Sequence, residues 1–219
     1  MDTNKPLLQS EMFYVSKNLQ QMREQGIFAK TGITDNELVR LIQDYIDQFK
    51  EVLKHNDGAE TIHQAYKMLN DYFRKDFDKQ IKEKITCKKG CSFCCHINVD
   101  CTQMEVDLIL QYIRAYNIPV DAKVLELHAK STMKERPLLE KSACVFLSAE
   151  GNCNIYDVRP LACRKYFIVS DPTLCNYKTN PLDNVKIYPD LQMELVTSAL
   201  VNIQQPENMA SLLQKKIKP

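Results

Sequence analysis

A chain of 219 residues, 44% hydrophobic and 26% charged, is long enough to bury a full core as one domain or as one domain with a large extension. Its formal net charge of +1 gives no bulk electrostatic basis for binding nucleic acid or a membrane surface. Only 5 Gly and no Trp weigh against glycine-rich phosphate loops and many-turned β architectures.

The first residues, Met1-Asp-Thr-Asn-Lys-Pro-Leu-Leu, lack a basic region followed by an apolar one. No apolar run approaches the roughly 20 residues that span a bilayer. Both observations predict a cytoplasmic protein without membrane contact, in a compartment where thiols stay reduced.

Taken in order, 1–84 reads as helical throughout. Leu7, Leu8, Met12, Leu19 and Met22 give a loose apolar face that ends near Gly26. Thr34-Asp-Asn-Glu37 is a capping box flanked by Ile33 and Leu38, placed as a hydrophobic staple. Leu38, Leu41, Ile42, Tyr45, Ile46, Phe49, Val52 and Leu53 then follow the 3.6-residue period until His55-Asn-Asp-Gly58 stops the helix. A third helix is expected over 59–84, with Ile62, Ala65, Tyr66, Leu69, Tyr72, Phe73, Phe77 and Ile81 on one side. Those aromatic residues read as core packing rather than as a ligand pocket, and His55 and His63 as surface or cap residues. Lys79, Lys82, Lys84, Lys88 and Lys89 form a basic run, a solvated face that can also offset negative charge.

Thr102-Gln-Met-Glu105 is a second capping box, opening a helix with Val106, Ile109, Leu110 and Ile113 inward and ending at Asn117-Ile-Pro119. Another helix is expected over 120–133, broken at Arg136-Pro137. The stretch 140–180 reads as irregular, with Cys144-Val-Phe-Leu147 and Asn154-Ile-Tyr156 as strand or turn pieces. Pro160 is suited to the first position of a short helix. Leu191, Leu195, Val196, Ala199, Leu200 and Ile203 define one more helix, and 208–218 a basic helical tail. The expected fold is therefore mainly α. A helical extension (1–84) packs with a small irregular cysteine-rich metal-binding domain (85–180), and a C-terminal helical segment (181–219) packs on the rest.

Four of the 9 cysteines fall in Cys87-Lys-Lys-Gly-Cys91-Ser-Phe-Cys94-Cys95. Crowding short side chains gains little hydrophobic energy, whereas a thiolate-bound structural zinc contributes on the order of 10 kcal/mol or more. In a reducing compartment such a group reads as metal before disulfide. Cys144, Cys153, Cys163 and Cys175 stand in turns or at element ends, where free amides can support sulfur. Cys101 is set aside as a small hydrophobe next to the cap Thr102. The candidate metal ligands are then Cys87, Cys91, Cys94, Cys95, Cys144, Cys153, Cys163 and Cys175, enough for two four-sulfur sites. Side chains of adjacent residues diverge, so Cys94 and Cys95 are expected to serve different ions or to bridge two halves of one cluster. His96 reads as a supporting or exposed residue rather than a ligand.

The series Cys87–Cys95, Cys144-Val-Phe-Leu, Cys153-Asn-Ile-Tyr-Asp-Val-Arg-Pro and Cys163-Arg resembles the YkgJ-type cysteine-cluster family, the CxxCxxCC zinc- or iron-chelating domain. The resemblance covers about 85–178, with a first spacing of three rather than two. It implies chelation of zinc or iron by eight cysteines, in a family whose related domains include flagellin lysine methylases. Asp157, Arg159 and Arg164 accompany the motif. Arg159 is expected to pair with Asp157 or to shield thiolates, and Tyr156 and Tyr166 to pack.

Several functions compete. The first is a metal-binding protein that is not an enzyme, with zinc slightly preferred over iron. The second is an iron–sulfur enzyme or enzyme component, in which no catalytic residue can be named. Cys87-x3-Cys91-Ser-Phe93-Cys94 is also similar to the signature of radical S-adenosylmethionine enzymes, but the chain beyond Cys95 is short, helical by pattern and poor in Gly, unlike the barrel they need. A third is an interaction module, with a protein partner on the N-terminal helices. Thiol redox chemistry at Cys91-Ser-Phe-Cys94 is weaker, since no βαβ pattern surrounds it.

Overall fold

Short polar side chains set where the helices begin. Ser16 accepts from the Leu19 amide to open α1 (Lys17–Glu24). Gly26, at φ 69°, turns the chain into the short α2 (Ile27–Thr31). Thr34 accepts from the Glu37 amide to open α3 (Asp35–His55), and Asp57 from the Glu60 amide to open α4 (Gly58–Lys75). The structure is a computed structural model that describes residues 13–88, 90–130, 143–176 and 184–217. Leu7, Leu8 and Met12 of the first expected helical face, Lys89, and the expected break at Arg136-Pro137 lie outside the described residues.

The single helix expected over 59–84 is two. It stops at Lys75, and α5 (Lys79–Lys84) starts afresh because the Asp78 carboxylate accepts from the amides of Gln80 and Ile81. The apolar period hid the break, since Phe77 is buried within it.

Beyond the cysteine-rich stretch, β1 (Asp100–Cys101) leads into α6 (Gln103–Ala115), whose capping box is complete. The Thr102 hydroxyl accepts from the Glu105 amide at 3.2 Å, and a Glu105 oxygen accepts from the Thr102 amide at 2.7 Å. Asp121 caps α7 (Ala122–Ala129), which lies within the helix expected over 120–133; 131–133 are outside the described residues. The remaining elements are α8 (Leu161–Arg164), β2 (Phe167–Ile168), β3 (Ile187–Tyr188), α9 (Leu191–Ile203), β4 (Glu207–Asn208) and α10 (Met209–Ile217). Pro160 caps α8 from outside instead of filling its first position.

Helix pairs build the core: α4 packs on α6, α3 on α9, and α10 on both α7 and α6. One hydrophobic cluster runs from Val15 to Leu213, and it includes Tyr66, Leu69 and Phe77 as expected of the aromatic faces. Two small antiparallel ladders tie distant segments, Asp100 opposite Asn208 in one and Phe167 opposite Tyr188 in the other. Phe73 and Phe77 lie with their ring centroids 5.6 and 5.4 Å from that of Phe167, which anchors the cysteine-rich half on the end of α4. Among the described residues no helix is long and apolar enough to cross a membrane.

Candidate metal centre

Backbone hydrogen bonds, more than side-chain packing, carry the cysteines to one place. Thr86 donates its amide to the Ile168 carbonyl at 2.8 Å and its hydroxyl to the Ser170 carbonyl at 2.6 Å. This lays Cys87 beside the Tyr166 carbonyl, to which its thiol donates at 3.7 Å. The next turn closes from the Cys91 amide to the Lys88 carbonyl and passes through Gly90 at φ 88°, where any L side chain is strained. A 3-10 turn, Phe93–His96, then presents Cys94 and Cys95.

The distal cysteines arrive on separate devices. Cys144 donates its amide to the Cys95 carbonyl at 2.7 Å. Cys153 is bridged to Leu147 across a tight turn, held down by Phe146, which is fully buried. Cys163 rides on α8, and Cys175 ends a 3-10 turn, Pro172–Cys175, which Asp171 caps and which packs against the 3-10 turn at Phe93.

Seven of the eight candidate ligands, Cys87, Cys91, Cys94, Cys95, Cys144, Cys153 and Cys163, line a single cavity of about 1170 Å³. Cys175 is buried outside its wall, within electrostatic reach of Cys87, Cys91 and Cys94. Cys101 and His96 do not line the cavity. None of the 9 cysteines is in a disulfide. Among the described residues, no three Cys, His, Asp or Glu side chains already stand as a coordination shell. The donor set itself suits a thiophilic cation, because soft sulfur ligands select zinc or iron–sulfur centres.

The electrostatics are first those of buried thiols, to which their nearness to one another adds. Burial pushes the Cys163 thiol well up, and the thiols of Cys144 and Cys175 to about 11. Burial raises Cys87 and Cys153 too, against the pull of the Ile168 and Ile155 amides. Cys94 is the exception. The adjacent Cys95 thiol and, to a lesser degree, Arg159 draw it down to about 7, while Cys95 is driven up. The 3-10 turn sets the two adjacent thiols close enough to shift each other in opposite directions.

Arg159 lies within reach of Cys87, Cys94, Cys153 and Cys163 and favours the thiolate at each. It donates to the Tyr156 carbonyl at 3.2 Å, rather than to Asp157, and stacks 3.7 Å over the Tyr156 ring. Tyr156, expected to pack, does so at the surface, as an exposed platform for that guanidinium. His63, Lys67 and Tyr112 extend the cavity wall along α4 and α6, and nothing in their local sequence pairs them with the cysteines.

Fold and site together define a mainly helical protein carrying a cysteine-rich segment whose thiols gather at one cavity. Residues 86–185 match the family described as "CxxCxxCC: Putative zinc- or iron-chelating domain". No curated protein and no solved structure matches the chain.

Proposed function

We propose that this protein chelates zinc or iron in the cytoplasm through Cys87, Cys91, Cys94, Cys95, Cys144, Cys153, Cys163 and Cys175. The observation that carries this reading is the shared cavity, faced by seven of those thiols from four separate stretches of chain. Bound metal would supply the positive charge that the crowded sulfurs lack. Arg159 supplies part of it from the protein side, and the amides of Ile168, Phe146 and Ile155 stabilise Cys87, Cys144 and Cys153 as thiolates. The matched domain's description supports zinc or iron alike.

One observation favours a second reading, an iron–sulfur centre serving an enzyme. The cavity does not end at the sulfurs but continues past Tyr112 to His63 and Lys67, giving room that a sealed structural zinc site does not need.

Anaerobic purification of the full chain, followed by metal analysis and a visible spectrum, tests both. A colourless protein holding zinc supports the first reading, and a brown one with acid-labile sulfide the second. A chain that holds no metal and whose thiols all alkylate freely would overturn the proposal.

A further inference from the structure

Glu105 is spent by its sequence role on one oxygen only. Oε2 completes the capping box with the amide and hydroxyl of Thr102 at 2.7 and 3.0 Å. Oε1 faces the other way and accepts from the Tyr66 hydroxyl at 2.8 Å and from the Leu161 amide at 2.7 Å. The carboxylate is 4% exposed, so all four bonds are made out of water, where they are strong and costly to break. Leu161 begins the short helix that carries Cys163.

Arg164 grips the same limb from its other end. Its guanidinium lies 4.0 Å over the Tyr66 ring and donates to Asn70 at 3.1 Å, both on α4. It also gathers the carbonyls of Arg159, at 3.1 Å, and Asp157. Those carbonyls lie between Cys153 and Cys163. The ring and hydroxyl of Tyr66 therefore join an acid and a base that each hold the backbone next to a candidate ligand.

We propose that Glu105, Tyr66 and Arg164 are positioning residues for the metal centre: they clamp the limb bearing Cys153 and Cys163 to the α4–α6 pair, so that metal retention is set from the helical half of the molecule. This rests on the metal-binding reading. None of the three supplies a sulfur. Their effect is to fix where two sulfurs stand, as hydrogen-bonded partners of metal ligands do.

The experiment uses the full chain with the metal it carries on purification and measures release to an excess of chromogenic chelator, below the melting point of every variant. Tyr66→Phe keeps the stacked ring and removes only the hydroxyl, while Glu105→Gln disrupts the acceptor more severely. Ile62→Val, on the same helix and fully buried, loosens the packing without touching the clamp. The expected result is release about 10–100-fold faster than wild type in both clamp variants, and at the wild-type rate in Ile62→Val. Wild-type release in the clamp variants, or equal acceleration in Ile62→Val, overturns the proposal alone. A wild-type chain that carries no metal overturns it together with the reading it rests on.

Discussion

Cys144 reaches the early cysteines through its backbone, donating its amide to the Cys95 carbonyl at 2.7 Å. That bond does not use its sulfur, so the two contributions can be separated. Cys144→Ser is expected to keep the fold, read by circular dichroism, and to lose metal content. Pro at the same position removes the amide and should lose both. A Cys144→Ser protein with full metal content would strike that residue from the ligand set.

Metal-free protein should weaken in alkali. The folded chain holds the protons of Cys144 and Cys175 up to about 11, while exposed in the unfolded chain these thiols titrate near 9.0. The stabilisation is fully present below pH 9 and drains away as the pH rises towards 11. Urea midpoints of the metal-free protein should fall across that window, and fall less in a Cys144→Ala, Cys175→Ala double variant. A flat profile for the wild type would contradict the burial of these thiols.

Loading metal works against the same protons. Binding to thiolates must release them, so apparent affinity should rise with pH through the neutral and mildly alkaline range. Calorimetric titrations in buffers of different ionisation enthalpy give the number released. Fewer than one proton per metal would mean that the thiols are not the ligands.

Cys94, drawn down to about 7, is expected to be the first thiol of the metal-free protein to react with iodoacetamide at neutral pH. Arg159→Gln should slow that reaction, because the guanidinium favours the Cys94 thiolate. Peptide mapping of briefly labelled protein reads both, and prior labelling at Cys163, whose thiol is pushed well up, would be the contrary result.

Just past the helix that carries Cys163, Lys165 donates at 3.0 Å to Glu194, a side chain 1% exposed that also accepts from Asn18 at 2.7 Å. Lys165→Met leaves that buried carboxylate short of a partner and should destabilise the protein by about 1.5–3 kcal/mol. Glu194→Gln, which keeps an acceptor for one donor, should cost less. Denaturant melts decide the order.

Legibility in the sequence followed the range of the forces. Thr102 and Glu105 could be read as a capping box because three residues of separation are local, and both halves of the box are made. The second oxygen of Glu105 could not be read, since its partner Leu161 is brought there by the fold. Residues 87–95 announced themselves by density, whereas the placement of Cys144 and Cys163 depends on amides meeting carbonyls across the chain. The break at Asp76–Asp78 carried a usable signal, an Asp able to cap, but Phe77 and Ile81 kept the apolar rhythm going and outweighed it.

The seating of α9 on α3 has a consequence for synthesis. A ribosome delivers Leu38, Ile42, Ile46 and Phe49 well before part of their cover, Leu191–Ile203. Over that interval part of the apolar face of α3 that α9 later covers stands open on the nascent chain, the kind of surface that chaperones shield.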